Sequence, residues 1–187
     1  MEFKPLSRVI GIDDGYFDLK AREESILVGV VWRLDGRIEG ILSQKIKVDR
    51  FDSTEKIISM ISSSKFKSQA KFVLLHGVNF AGFNIADIKK INKKLRVPII
   101  VCFRKKPNMK KIKKALSHLG NTKERILLIK RAGKIFSAEK IFFQFAGTKE
   151  QTARELIKKT LLYSYMPEPL RLAHLIASGI TKPKRVN

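Results

Sequence analysis

Acidic residues are scarce in this chain. Seventeen Asp and Glu face thirty-nine Lys and Arg across 187 residues, for a formal net charge of +22. A folded domain with that excess repels itself and attracts polyanions, of which nucleic acid is the commonest. The competing explanation is a general enrichment in surface lysine, which high growth temperature favours. Cysteine is almost missing: Cys102 stands alone, so no disulfide can form within the chain, as expected of a protein in a reducing cytosol. A Cys/His zinc site is not expected, because His76, His118 and His174 lie far apart in sequence. Long apolar runs are missing too. None approaches the ~20 residues that cross a bilayer, and Met1–Arg8 has no apolar signal core. These absences argue against a membrane or secreted protein and for a cytoplasmic one.

What is present fits a folded domain. Hydrophobic residues make up 44% of the chain and charged residues 30%, a combination that excludes a disordered polyelectrolyte. The length fits one domain over residues 1–180, with 181–187 left as a basic tail.

Periodicity predicts the elements. Ser7–Asp13 reads as a buried strand closed by Asp13-Asp14-Gly15. Leu27–Arg33 and Ile38–Val48 read as two further strands joined through Asp35-Gly36, a hairpin signal, so an antiparallel meander is expected. Asp52-Ser53-Thr54-Glu55 opens a helix, since such side chains cap the free amides of a first turn. Strands at Lys71–Leu75 and Pro98–Phe103 flank a helix at Asn84–Leu95, and Pro107 opens another. Ile126–Ile129 and Ile135–Phe145 are expected to pair as a hairpin about Ala132-Gly133. Lys149–Tyr163 and Pro169–Ala177 read as closing helices. The fold class is therefore α/β: a mixed sheet, three antiparallel strands followed by parallel strands, with helices on both faces. That is the chain order of the ribonuclease H-like fold.

Ligands of open α/β sheets gather at the carboxyl ends of parallel strands. Asp13 and Asp14 end the first strand there, and either turn the chain or hold a metal. His76, Gly77 and Asn79 follow the fourth strand, in a glycine-bearing loop that enters a helix. A lone histidine in such a loop is more often packed than ligating. Arg104, Lys105 and Lys106 follow the fifth. From Ile88 to Lys123 there is no Asp or Glu, yet Lys110, Lys111 and Lys114 are among thirteen cations in that stretch. A solvated face is usually balanced by acids; this one reads as a phosphate-binding face. Aromatic residues are sparse in it, so stacking on single-stranded bases gets little support.

Several blocks carry a resemblance. Ile10-Gly11-Ile12-Asp13-Asp14-Gly15, Val28-Gly29-Val30-Val31, Ala81-Gly82-Phe83-Asn84 with Asp87, Val97-Pro98-Ile99-Ile100, and Met166-Pro167-Glu168-Pro169-Leu170-Arg171-Leu172-Ala173 span nearly the whole chain. In these the sequence resembles an uncharacterised, mostly archaeal, endonuclease V-like family (domain of unknown function ninety-nine). The last block is close to the Pro-Glu-Pro-Thr-Arg-x-Ala-Asp segment of endonuclease V. The resemblance implies a ribonuclease H-like fold and Mg²⁺-dependent strand cleavage near deaminated purines. It places the first catalytic aspartate on Asp13, while Asp14 enters only as the neighbouring strand-end carboxylate that could share an ion. It places the catalytic glutamate near Asp52 or Glu55, and the second aspartate on His76. The lysine falls on Arg104 or Lys105, and a late Gly-His pair on Gly147-Thr148. The chain departs from the pattern at His76, which removes a hard oxygen ligand, and at Thr148, which removes a second candidate ligand.

Catalysis is thus expected of Asp13, Asp52, His76 and Lys105, and metal binding of Asp13, Asp14 and Asp52. Substrate contacts are expected of Gly77, Asn79, Arg104, Lys106, Lys110, Lys111, Lys114 and Thr148. Three readings stay open. The chain is a Mg²⁺-dependent nuclease, a non-catalytic nucleic-acid-binding protein that keeps the fold, or a protein-interaction module whose charge reflects its proteome.

Overall fold

The apolar, β-branched runs become the strands of one sheet in a computed structural model that describes residues 3–17 and 24–181. β1 (Arg8–Asp14), β2 (Glu24–Arg33) and β3 (Ile38–Lys47) form the expected antiparallel meander. Helix α1 (Ser53–Ser62) then leads to β4 (Ala70–His76), which lies parallel to β1. A small hairpin, β5 (Asn79–Phe80) with β6 (Asn84–Ile85), precedes α2 (Ile88–Leu95) and the parallel strand β7 (Ile99–Phe103). The chain continues through α3 (Met109–Leu116), α4 (Thr122–Arg131), β8 (Phe136–Ala138) and β9 (Ile141–Ala146). It closes with α5 (Glu150–Thr160) and α6 (Glu168–Thr181). The seven-stranded order is β3-β2-β1-β4-β7-β9-β8, with β9 antiparallel to β7.

Both faces are covered, which is why the central strands read as continuous apolar runs. Ile10, Ile12, Val73, Leu75, Ile99 and Val101 point to the face that packs under α1 and α2, with Leu128 and Ile129 of α4 against the same cluster. Val9, Phe72, Leu74, Ile100 and Phe143 point the other way, under Ala153, Leu156 and Ile157 of α5. On that face Val28 and Val30 meet Ala173 and Ala177 of α6. Cys102 is fully buried here, and burial pushes its thiol above its usual range, which leaves it inert. Among the described residues, no helix is long and apolar enough to cross a membrane.

Three expectations are corrected. Ile126–Ile129 lies in α4 and not in a hairpin. Arg125, Leu128, Ile129 and Ala132 fall at i, i+3, i+4 and i+7, one helical face, and it is that face that turns inward. The reversal occurs at Glu139-Lys140, both with positive φ (48° and 69°), residues that carry no turn signature. Asn84 belongs to β6; the helix starts only after Asp87, whose carboxylate accepts the amides of Lys89 and Lys90. Thr181, expected to start the tail, is the last residue of α6, and its hydroxyl accepts the Tyr16 amide at 2.6 Å. Residues 182–187 of that tail lie outside the described residues.

One glycine fixes how α6 sits. A Cβ at Gly11 would stand 2.4 Å from the Pro169 carbonyl carbon, so the first turn of α6 rests directly on the β1 backbone. Gly11→Ala forces the helix outward. We expect it to lower unfolding free energy by about 1–3 kcal/mol, measured by urea denaturation, although Ala has the better conformational entropy. Unchanged stability would show that α6 adjusts freely.

Candidate active site

The site is assembled where β1, β4 and α6 meet. β1 and β4 are parallel neighbours, with Ile12 opposite Leu75, so Asp13 and His76 emerge side by side at their carboxyl ends. Both sit at alternate positions that face α6. That helix, lying across β1 and β2, brings in His174 beside the buried Ala173. His76 Nδ1 lies 2.7 Å and His174 Nδ1 2.9 Å from the same oxygen, Asp13 Oδ2. The two rings stand nearly perpendicular, at 85°, with centroids 6.0 Å apart. With Asp13 ionised, both Nδ1 atoms carry hydrogen and donate to it. Asp13 is 3% exposed, whereas the His174 side chain is 54% exposed, so the trio is buried at its centre and open on one side. The opening is a cavity of about 350 Å³ lined by Asp13, Asp14, Gly15, Tyr16, His76, Asn79, His174 and Ser178.

Asp14 stands at the rim with its Oδ2 accepting the Ala81 amide at 2.6 Å. Burial first, and the adjacent Asp13 charge second, push its carboxyl up to about 7. The Ala81 amide opposes this by favouring the ionised form. Burial pulls the His76 imidazole downward, but the hydrogen bond and charge of Asp13, helped by Asp14, outweigh it and hold His76 above its usual value. Arg104 acts on His76 in the opposite sense, which places that cation's field at the site.

The loop that supplies Ala81 is pinned from below. Gly82 has φ +83°, and a Cβ there would strike the Asp49 carboxylate, which accepts the Phe83 amide at 2.8 Å. Asn84 is fully buried; its carbonyl accepts the Ser53 amide, and its NH₂ donates to the Lys47 carbonyl and to Asp52. Arg125 donates to the carbonyls of Asp49 and Phe83 and lies 4.2 Å from the Phe51 ring centroid.

The structure brings together Asp13, Asp14, His76 and Asn79 among the expected residues. Asp52 sits at the start of α1, bonded to Asn84, and does not line the cavity. Glu55 is exposed and paired with Lys90. Lys105, Lys106 and Lys111 line a second cavity of about 890 Å³, floored by Phe83, Ile85, Phe103 and Ile112. Asn79 lines both cavities, so the two adjoin. Gly77 is buried in the loop below, and Lys110 and Lys114 project from α3 into solvent. Gly147-Thr148 follows β9, which runs antiparallel to β7. It therefore lies at the far end of the sheet, in a cavity with Ser7, Ala70 and Pro98.

His174 was missed as a site residue. His76 is among the expected site residues, but a shared histidine site is not expected because the histidines are distant in sequence; His76 and His174 nevertheless converge on Asp13 once α6 folds onto β1. A signal existed: the Met166–Ala173 block runs straight into His174, where the endonuclease V segment carries an aspartate.

Mg²⁺, which the resemblance implies, fits these donors poorly. It demands near-octahedral oxygen ligation. Among the described residues, the only group of three or more candidate ligands is Asp13, His76 and His174: one carboxylate and two imidazoles. Asp14 gives a further test of the electrostatics. Its folded-state value lies above the ordinary 3.8, so protonation favours folding, and stability declines as pH rises from about 4 to about 7. Asp14→Asn keeps an acceptor for Ala81 and offers Asp13 a donor. In metal-free protein it should therefore stabilise at pH 8 and not at pH 4, by chemical denaturation. An equal effect at both values would show that charge is not the cause.

Comparison with known proteins places these features in a lineage. A UPF0215 protein of Methanopyrus kandleri is 38% identical over 187 residues, covering 97% of this chain and 94% of that one. The crystal structure of an Archaeoglobus fulgidus protein of unknown function superposes with TM-score 0.88 at 36% identity, covering 95% and 99%. Two endonuclease V structures share the fold. That of Bacillus subtilis gives TM-score 0.64 at 12% identity, covering 91% and 79%. That of Ciona intestinalis, in complex with DNA containing an inosine followed by a ribo-adenosine, gives 0.57 at 16%, covering 89% and 82%. The fold is thus ribonuclease H-like, as expected. The pattern of the endonuclease dU family matches residues 5–181, and the chain belongs to that family.

Proposed function

We propose that this protein cleaves a phosphodiester bond in DNA beside Asp13, at or near a deaminated base, with deoxyuridine as the first candidate. One observation carries the reading: Asp13, His76 and His174 converge in an open cavity that shares Asn79 with a second, lysine-rimmed cavity. Strand-cleaving chemistry needs charge stabilisation at a phosphate and a means to hold the strand. Asp13 is the negative centre, buried and oriented by two imidazoles. Arg104, Lys105 and Lys106 follow β7, the neighbour of β4; Arg104 acts electrostatically on His76, and Lys105, Lys106 and Lys111 line the second cavity. They would hold the backbone phosphates, while the apolar floor between them offers a surface for a base. The family's name points to deoxyuridine, and the Ciona endonuclease V was captured on inosine-containing DNA.

A second reading rests on the same residues. His76 stands where endonuclease V carries a carboxylate, and a chain that keeps the fold and the cations without turnover would be a nucleic-acid-binding protein. Labelled duplex and single-stranded oligonucleotides, with thymidine, deoxyuridine or inosine at one position, separate the two when incubated with a series of divalent ions. The expected result is cutting of the deoxyuridine strand, reduced about a hundredfold or more in Asp13→Asn. Binding with no cutting under any ion would leave the second reading.

The cationic face gives its own prediction. Replacing Lys105, Lys106 and Lys111 together by Glu should weaken DNA binding for all sequences alike. The slope of log affinity against log salt should flatten by about 0.9 for each lost phosphate contact. Fluorescence anisotropy across a salt series measures both. An unchanged slope would place the strand elsewhere.

A further inference from the structure

We infer that Asp13, His76 and His174 bind a single borderline-soft transition-metal ion, of which Zn²⁺ is the type, in preference to Mg²⁺. The inference concerns the site on which the cleavage reading rests, but it does not require that reading to hold. Three observations carry it. The first is convergence: one donor atom from each residue lies within 4.8 Å of the others. Metal–donor distances of about 2.0–2.2 Å let one ion touch donors up to about 4.4 Å apart, and the Nδ1 atoms of His76 and His174 lie only 2.7 and 2.9 Å from the Asp13 oxygen. The donors come from β1, β4 and α6, and α6 is seated on the Gly11 backbone, so the cluster is held by packed elements.

The second is compensation. Asp13 is a buried carboxylate in a chain of thirty-nine Lys and Arg, yet among the described residues its side chain has no Lys or Arg partner. Its Oδ1 accepts the Asp14 amide at 2.9 Å, the Asp14 carboxyl lies beside it, and two imidazoles are aimed at its Oδ2 through Nδ1. Two such donors on one carboxylate oxygen form an arrangement in which an ion can take the place of both Nδ1 hydrogens. The third is access. The trio opens into the 350 Å³ cavity through the half-exposed His174, which leaves room for water or a phosphate oxygen on the ion. Three protein ligands with an open fourth position is the pattern of catalytic zinc, and a two-histidine, one-carboxylate set is among its recurring forms. Imidazole suits zinc, iron and nickel, whereas Mg²⁺ takes oxygen.

The test reads binding without nucleic acid. Full-length protein stripped by chelator is titrated with Co²⁺ and followed by visible absorption, then with Zn²⁺ by calorimetry in millimolar Mg²⁺. The expected result is one equivalent of each ion, intense low-coordinate Co²⁺ bands, and Zn²⁺ affinity that Mg²⁺ does not reduce. His76→Ala and His174→Ala should each weaken Zn²⁺ at least about tenfold, and His118→Ala should not. Because an alanine variant can fail by unfolding, His174→Asp supplies a second measurement: it should stay folded by circular dichroism and shift preference toward Mg²⁺ or Mn²⁺. Mg²⁺ competing on equal terms in the unmutated protein, or full Zn²⁺ affinity in His174→Ala, overturns the inference. Intact Zn²⁺ binding with no strand cleavage overturns only the nuclease reading.

Discussion

A side chain at residue 11 would meet the Pro169 backbone at 2.4 Å, so α6 can lie on β1 only because Gly11 has no Cβ. The site depends on that close approach. His174 is carried entirely by α6, and Asp13 lies two residues beyond Gly11 on the same face of the strand. Helix and strand therefore meet at one point, and the imidazole and the carboxylate stand five helix residues and one strand repeat beyond it. Small changes in the height of α6 translate directly into the separation of these groups. Ala173 and Ala177, fully buried against Val28 and Val30, extend the close contact along the helix. Glu168, also buried, is held by Arg171 on the next turn, so the first turn of α6 carries its charge already neutralised.

The loop opposite is fixed by polar rather than apolar means. Asn84 uses both ends of its amide to join β3 to the start of α1. Arg125 reaches in from α4 to satisfy two loop carbonyls, and a buried guanidinium with several partners resists rearrangement because any lost bond leaves a desolvated group. Gly82 and Asp49 complete the support. The block Ala81–Asn84 with Asp87, one of the carriers of the family resemblance, is thus mostly scaffold. Its direct contribution to the Asp13 cavity is the Ala81 amide on Asp14, and Phe83 forms part of the floor of the second cavity.

This separation explains what the sequence disclosed. The meander, the parallel strands and Asp13 at a strand end were legible, because each follows from local periodicity and from the rule that sites form at carboxyl ends. The α4 segment was misread because four apolar residues in a row, Ile126–Ile129, fit strand and helix alike, and only the inward turn of Arg125 decides between them. Asp52 drew attention as the carboxylate where a partner was wanted, but it caps no amide and answers to Asn84. Thr148 was placed by alignment to a pattern, and the antiparallel course of β9 carries it to the far end of the sheet. His174 stayed hidden because its meaning lies in a contact between the two ends of the chain, which no local window contains.

Charge and ligand type at the site are coupled. A carboxylate cluster of the kind Mg²⁺ requires would place several negative charges where a phosphate must arrive, and the ion would have to offset them. Here Asp13 is joined by two imidazoles, neutral when ligating, and burial beside Asp13 disfavours ionisation of Asp14, so the repulsion toward a phosphate is smaller before any ion binds. The cost falls on hard cations, whose affinity comes mainly from charge. It falls less on an ion that gains from nitrogen ligation. Arg104 and the lysines beyond it act in the same direction: they favour the phosphate and disfavour an ion held by charge alone. The strongly cationic surface and the replacement of oxygen by nitrogen donors are therefore consistent parts of one electrostatic arrangement. On the cleavage and metal-binding readings proposed above, the rim attracts the substrate and the chemistry of the ligands attracts the ion.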